Sequence, residues 1–148
     1  MTLVERIQAE LKAAMLARDA DRLGTLRLLK SAIGYAQIEK KCDALPDPDV
    51  IAIVQKEIKK RRDSIEQFTT GGRPELAEKE SREIPVLEVF LPKALSPEEL
   101  EQLVKSAITS AGATSKKDMG AVIKAVQAQS AGRADGKSIS QAVARLLP

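Results

Sequence analysis

The chain has 148 residues, 43% of them hydrophobic, and a formal net charge of +3, so it can bury a real core in one domain or in two small ones. It has no histidine and a single cysteine, Cys42, which excludes Ser-His and Cys-His catalytic arrangements, histidine metal sites and any intramolecular disulfide. Aromatic residues make up only 2%, so the core must be aliphatic; its Leu, Ile, Val and Ala recur at helical spacing, and the chain reads as all-α.

The first helix opens with Thr2 and Glu5 in capping-box spacing, carries Leu3, Ile7, Leu11 and Met15 on one stripe, and is expected to end near Arg18. A second runs from about Asp21 to Lys41, with Leu23, Leu26, Leu29, Ile33 and Ala36 inward, and stops before the prolines of ALPDPDV (44–50). Asp49 is the expected cap of a third helix, which turns Val50, Val54, Ile58, Ile65 and Phe68 inward and ends at Gly71 and Gly72, where left-handed geometry costs little. Pro74 can begin a fourth, with Leu76, Ile84, Leu87 and Leu91 inward. Pro85 removes a backbone donor inside it, which predicts a kink or break near Ser81.

LPKALSPEEL (91–100) reads as a joint: Pro92 stops one helix, while Ser96, Pro97 and Glu99 supply the cap, first-turn proline and capping box of the next. The expected division is a helical domain of about four helices at 1–92 and a three-helix domain at 93–148. In the latter, Leu100, Leu103, Val104, Ala107, Ile108 and Ala111 form a stripe ending at Gly112. Ser115 with Asp118 opens a helix holding Met119, Val122, Ile123 and Val126, and the last helix follows Asp135 with Ile139, Val143, Leu146 and Leu147.

Charge is distributed unevenly. Residues 1–101 carry seventeen Lys and Arg against nineteen Asp and Glu, whereas 102–148 carry seven against two, so an acidic partner is expected at the C-terminal end. There AGRADGKS (131–138) has the look of a phosphate-binding loop. A Walker loop needs four residues between its first glycine and its Gly-Lys pair and must follow a strand; Gly132 and Gly136 enclose only three, and the preceding segment reads as helix. The plain reading is that Gly132 ends one helix and Asp135 caps the next. That leaves Arg133 and Lys137 at a helix start, where the macrodipole disfavours cations but where backbone N–H groups and basic side chains together suit a nucleic-acid phosphate.

The densest charge run, KEIKKRRDSIEQF (56–68), can neutralise itself through Glu57–Arg61, Lys59–Asp63 and Arg62–Glu66 at i,i+4 spacing, which makes Arg61 and Arg62 the weaker phosphate candidates. Carboxylate pairs such as Glu98 and Glu99 lie at helix starts, where capping accounts for them. No catalytic residue, metal site or cofactor is expected. The start MTLVERIQAE has charge where a secretory signal needs an apolar run, and IPVLEVFLP (84–92) is too short to span a bilayer, so the expectation is a cytoplasmic chain without membrane contact.

KKRRDSIEQF (59–68), GGRPELAEKE (71–80), EVFLPKALSPEEL (88–100), GATSKKDMGAVIKAV (112–126) and GRADGKSIS (132–140), read together, resemble the YqeY family. That family is similar in turn to the C-terminal helical and tail domains of GatB, a subunit of the tRNA-dependent amidotransferase acting on mischarged Glu-tRNA(Gln) or Asp-tRNA(Asn). The resemblance implies two helical domains and a binding role, since the GatB tail helps hold tRNA and the chemistry lies in domains without counterpart here. It makes Lys116, Lys117, Arg133 and Lys137 the candidates within matching motifs, and Lys124 and Arg145 join them as cations of the same basic end. Pro85 departs from the continuous helix usual in relatives.

The implied function is a noncatalytic module for tRNA or another structured RNA, working beside aminoacylation or amidation. The alternatives are a docking module for an aminoacyl-tRNA synthetase or an amidotransferase subunit, and a carbon-nitrogen ligase with glutamine as amido donor. Tyr35, Phe68 and Phe90 are too few and too scattered for single-strand base stacking.

Overall fold

Six of the seven helices begin at a side-chain cap or with a proline in the first turn, where one fewer N–H needs a partner; the sixth, Met119–Ser130, instead continues from a 3₁₀ turn. The computed structural model describes all residues, 1–148, and contains seven α-helices, one short 3₁₀ turn and no strand. The chain forms two compact units, Met1–Leu91 and Pro92–Pro148.

In the first unit α1 (Leu3–Leu16) starts from the Thr2–Glu5 capping box, and α2 (Ala20–Lys40) starts from Asp19, whose carboxylate accepts from the Arg22 N–H at 3.2 Å. α3 (Asp47–Thr70) and α4 (Pro74–Glu88) form a hairpin through Gly71 and Gly72, the latter at φ 73°. Their inner faces close one core: Leu3 and Ile7 from α1, Leu26, Leu29 and Ile33 from α2, Val50, Val54 and Ile58 from α3, and Leu87 from α4, with Leu45 and Phe90 at the ends.

Several local expectations are corrected here. α1 stops at Leu16 because Arg18 turns left-handed at φ 56°, and Ala14 rather than Met15 faces the core; Met15 is 53% exposed. Asp49 does not cap α3. Pro46 occupies that position, Asp49 pairs with Lys40 at 3.0 Å, and Asp47 accepts the Leu3 N–H at 3.0 Å, which ties the start of α1 to the start of α3. Ile65 and Phe68 are only half-buried, since α3 outruns the core toward its C-terminal end. α4 does not break at Ser81: it stays helical through Pro85, and Leu87 beyond the proline is fully buried, so core packing overrides the lost hydrogen bond.

In the second unit α5 (Pro97–Ala111) starts from the Ser96–Glu99 capping box and ends at Gly112, φ 63°. Asp118 Oδ2 accepts the N–H groups of Thr114 and Ser115, shaping the 3₁₀ turn Lys116–Asp118 that leads into α6 (Met119–Ser130). α7 (Gly136–Leu146) is capped by Asp135, whose Oδ1 accepts from the Ser138 N–H at 2.7 Å. The core is Val104, Ala107, Val122, Val126, Ile139, Ala142, Val143 and Leu147, with no aromatic side chain in it. Small aliphatic residues let three helices pack closely around little volume.

Candidate nucleic-acid interface

AGRADGKS forms a turn between two helices. α6 runs out at Ser130, Ala131 and Gly132 both take positive φ (49° and 84°), and Asp135 restarts the chain as α7. The strand that a nucleotide loop requires is missing. Gly136 packs beside Gln127 of α6, and at the other end of the hairpin Lys116 Nζ donates to the Ala144 carbonyl at 2.6 Å, so α6 and α7 lie antiparallel. The turns carrying Lys137 and Lys117 therefore sit at opposite ends of α7, whose 11 residues extend about 16 Å.

The six basic candidates divide by what holds them. Arg133 is engaged within its own unit: Nε donates to the Lys93 carbonyl at 3.0 Å, a guanidinium nitrogen lies 3.6 Å from Glu99, and its own carbonyl accepts the Leu95 N–H at 2.8 Å. Lys116 satisfies a carbonyl that the end of α7 leaves open. Arg145 lies in the last turn of α7, where a cation complements the dipole, and its charge reaches Glu101. The Glu101 carboxyl is held below its ordinary range first by the hydrogen bond from Lys105, 3.0 Å away, then by the Lys105 charge, and least by Arg145. Lys117, Lys124 and Lys137 are exposed and make no ion pair. They form a spread of free cations rather than a convergent pocket, an arrangement that meets an extended phosphate backbone better than a small anion.

The weaker candidates in the first unit fare differently. Arg61 is 5% exposed: Nη1 donates to the Glu57 carboxylate and carbonyl, both at 3.1 Å, and Nε donates to Glu83 at 2.8 Å. Buried between two carboxylates, it presents no charge to a phosphate in solution. The Glu57–Arg61 pair was legible from i,i+4 spacing; Glu83, 22 residues away on α4, was not. Arg62 is exposed on α3 and itself engaged in an interaction.

A cavity of about 130 Å³ in the first unit is lined by Arg6, Glu10, Arg22, Leu26, Val86, Val89 and Phe90. Its polar groups already serve one another. Arg22 pairs with Glu10, and Arg6 donates to the Val89 carbonyl while its guanidinium lies 5.6 Å from the Phe90 ring centroid. No cluster of His, Cys, Asp or Glu is placed to hold a metal ion, and no helix is long and apolar enough to cross a membrane.

Fold and surface together define an all-α chain of two helical units, the second of which presents exposed lysines along a helical hairpin. The chain belongs to the YqeY family: the family model described as Yqey-like protein matches residues 4–147. An uncharacterized protein of Schizosaccharomyces pombe is 40% identical over 90 residues, 61% of this chain and 72% of that protein. Altered inheritance of mitochondria protein 41 of Pyrenophora tritici-repentis is 30% identical over 148 residues, covering 98% of this chain and 81% of the relative. Its Kluyveromyces lactis namesake is 36% identical over 109 residues, 72% of this chain and 58% of the relative.

The two namesakes are designated mitochondrial, which overturns the expectation of a cytoplasmic chain. That expectation rested on the charged start MTLVERIQAE and on the short apolar run at 84–92, and neither feature separates the cytoplasm from the interior of an organelle.

Proposed function

We propose that the second unit is a noncatalytic RNA-binding module that holds the phosphate backbone of a structured RNA, with tRNA as the RNA class suggested by the family resemblance. The observation that carries this reading is the set of free lysines Lys117, Lys124 and Lys137, exposed along one helical hairpin in the part of the chain where cations outnumber carboxylates. Arg133 and Lys116 also help build the hairpin's two turns, each placing one donor on a backbone carbonyl. All three aromatic side chains lie in the first unit and Phe90 is buried there, so contact through phosphates is favoured over base stacking.

The test is tRNA affinity as a function of salt for the parent and for Lys117→Ala/Lys124→Ala/Lys137→Ala. The triple variant should keep its melting behaviour, because these side chains touch no special feature of the fold. Its slope of log affinity against log salt should be shallower by roughly two to three units, each lysine releasing about 0.7–0.9 of a counterion. An unchanged affinity and slope would overturn this assignment. A parent that ignores tRNA at low salt yet forms a protein complex surviving high salt would place the docking reading first.

A further inference from the structure

The outer face of α7 carries hydrogen-bond donors and no carboxylate. Lys137, Gln141 and Arg145 are all exposed and stand four residues apart, so they form a row about 12 Å long with a step of about 6 Å. The Gln141 amide engages no other residue. Arg145 makes no hydrogen bond, and the carboxylate that its charge reaches, Glu101, is already held by Lys105. Asp135 is the only side-chain carboxylate from Met119 to Pro148, and its Oδ1 is occupied by the Ser138 N–H.

We infer, on the RNA-binding reading above, that this row lies along one strand of an RNA duplex, with Lys137 and Arg145 on phosphates and the Gln141 amide on a ribose 2′-hydroxyl between them. Spacing, polarity and composition select this occupant. The step of the row is close to the interval between successive phosphates of a stacked strand, so one backbone can meet both cations and the amide together. All seven large exposed apolar side chains of the chain lie in the first unit, so this face offers a protein partner no apolar anchor. The second unit has no aromatic side chain on which an unpaired base could stack, which favours a strand whose bases are paired on its far side. The two cations treat RNA and DNA phosphates alike. Gln141 is the member of the row that both donates and accepts, as a 2′-hydroxyl does, so it is the residue that tells RNA from DNA.

The test is binding of the full chain to one duplex sequence made as RNA and as DNA, measured against salt. The parent should prefer RNA. Gln141→Ala should lower RNA affinity about three- to tenfold without changing the salt slope, leave DNA affinity where it was, and narrow the RNA preference by the same factor. Arg145→Ala should weaken both duplexes and make the slope of log affinity against log salt shallower by about 0.7–0.9. Both variants should keep the parent's melt, since neither side chain is buried. A parent without RNA preference overturns the inference, as does a Gln141→Ala variant that loses RNA and DNA equally or loses neither. So does a parent that holds single-stranded RNA or polyglutamate as tightly as the duplex. If the triple lysine variant loses tRNA while the Gln141 and Arg145 variants match the parent, this row is wrong and RNA binding stands; a parent that binds no RNA overturns both.

Discussion

Arg61 shows how one side chain can carry a charge in sequence and a packing role in the fold. It lies on the same stripe of α3 as Val54 and Ile58, and Glu57 and Glu83 neutralise it on both sides. Removing the arginine leaves two poorly hydrated carboxylates facing each other. Arg61→Ala is therefore expected to lose roughly 3 kcal/mol in urea unfolding, the lower end for a broken buried pair because both glutamates keep some solvent contact. Lys59→Ala, an exposed neighbour two positions earlier, should lose no more than about 0.5 kcal/mol. Equal losses for the two variants would show that the Arg61 cluster adds nothing. Arg133 is the converse case: it sits in a motif that suggests a phosphate ligand, and its Nε is placed on the Lys93 carbonyl with Glu99 3.6 Å from the guanidinium.

At the level of elements, the caps are local and the bends are not. Thr2 with Glu5, Ser96 with Glu99, and Asp135 with Ser138 all form as their spacing dictates, since each joins groups three residues apart. Pro85 defied its local rule because Leu87 is fully buried and Ile84 and Val86 pack against the same core. The helix retains the proline at a cost, and Pro85→Ala should stabilise the protein by about 2 kcal/mol, the difference between an interior proline's penalty of about 3 kcal/mol and the unfolded-state entropy it removes. A lower melting temperature for the alanine variant would contradict this and would mean that α4 depends on the proline for its path.

For the whole molecule, the connection between the units is the sensitive element. Residues 92–96 are not helical, but Lys93 and Leu95 are bonded to Arg133, so most of the connector is fastened to the second unit. In native-state digestion trypsin is expected to cut first after Lys93, and Arg133→Ala should speed that cut about tenfold, since a hydrogen bond from a charged donor contributes about 1.5 kcal/mol to keeping the segment closed. Early cleavage inside α5, α6 or α7 would contradict the reading of 93–148 as a separately folding domain.

What the sequence determined by itself is whatever depends on neighbours within a turn or two: the all-α class, the starts and stops of most helices, the apolar stripes and the family. Pattern also excluded a nucleotide loop at Gly132–Gly136, because spacing and a helical approach are both local properties. The tertiary structure alone decided which cations are free. Glu83 reaches Arg61 across 22 positions, Lys93 reaches Arg133 across 40, and Ala144 reaches Lys116 across 28. None of these pairings has a periodic signature, because each depends on which helix faces meet. Leu28, Tyr35 and Ile38 of α2 belong with them: in sequence they are indistinguishable from core, and only the path of the other helices leaves them exposed.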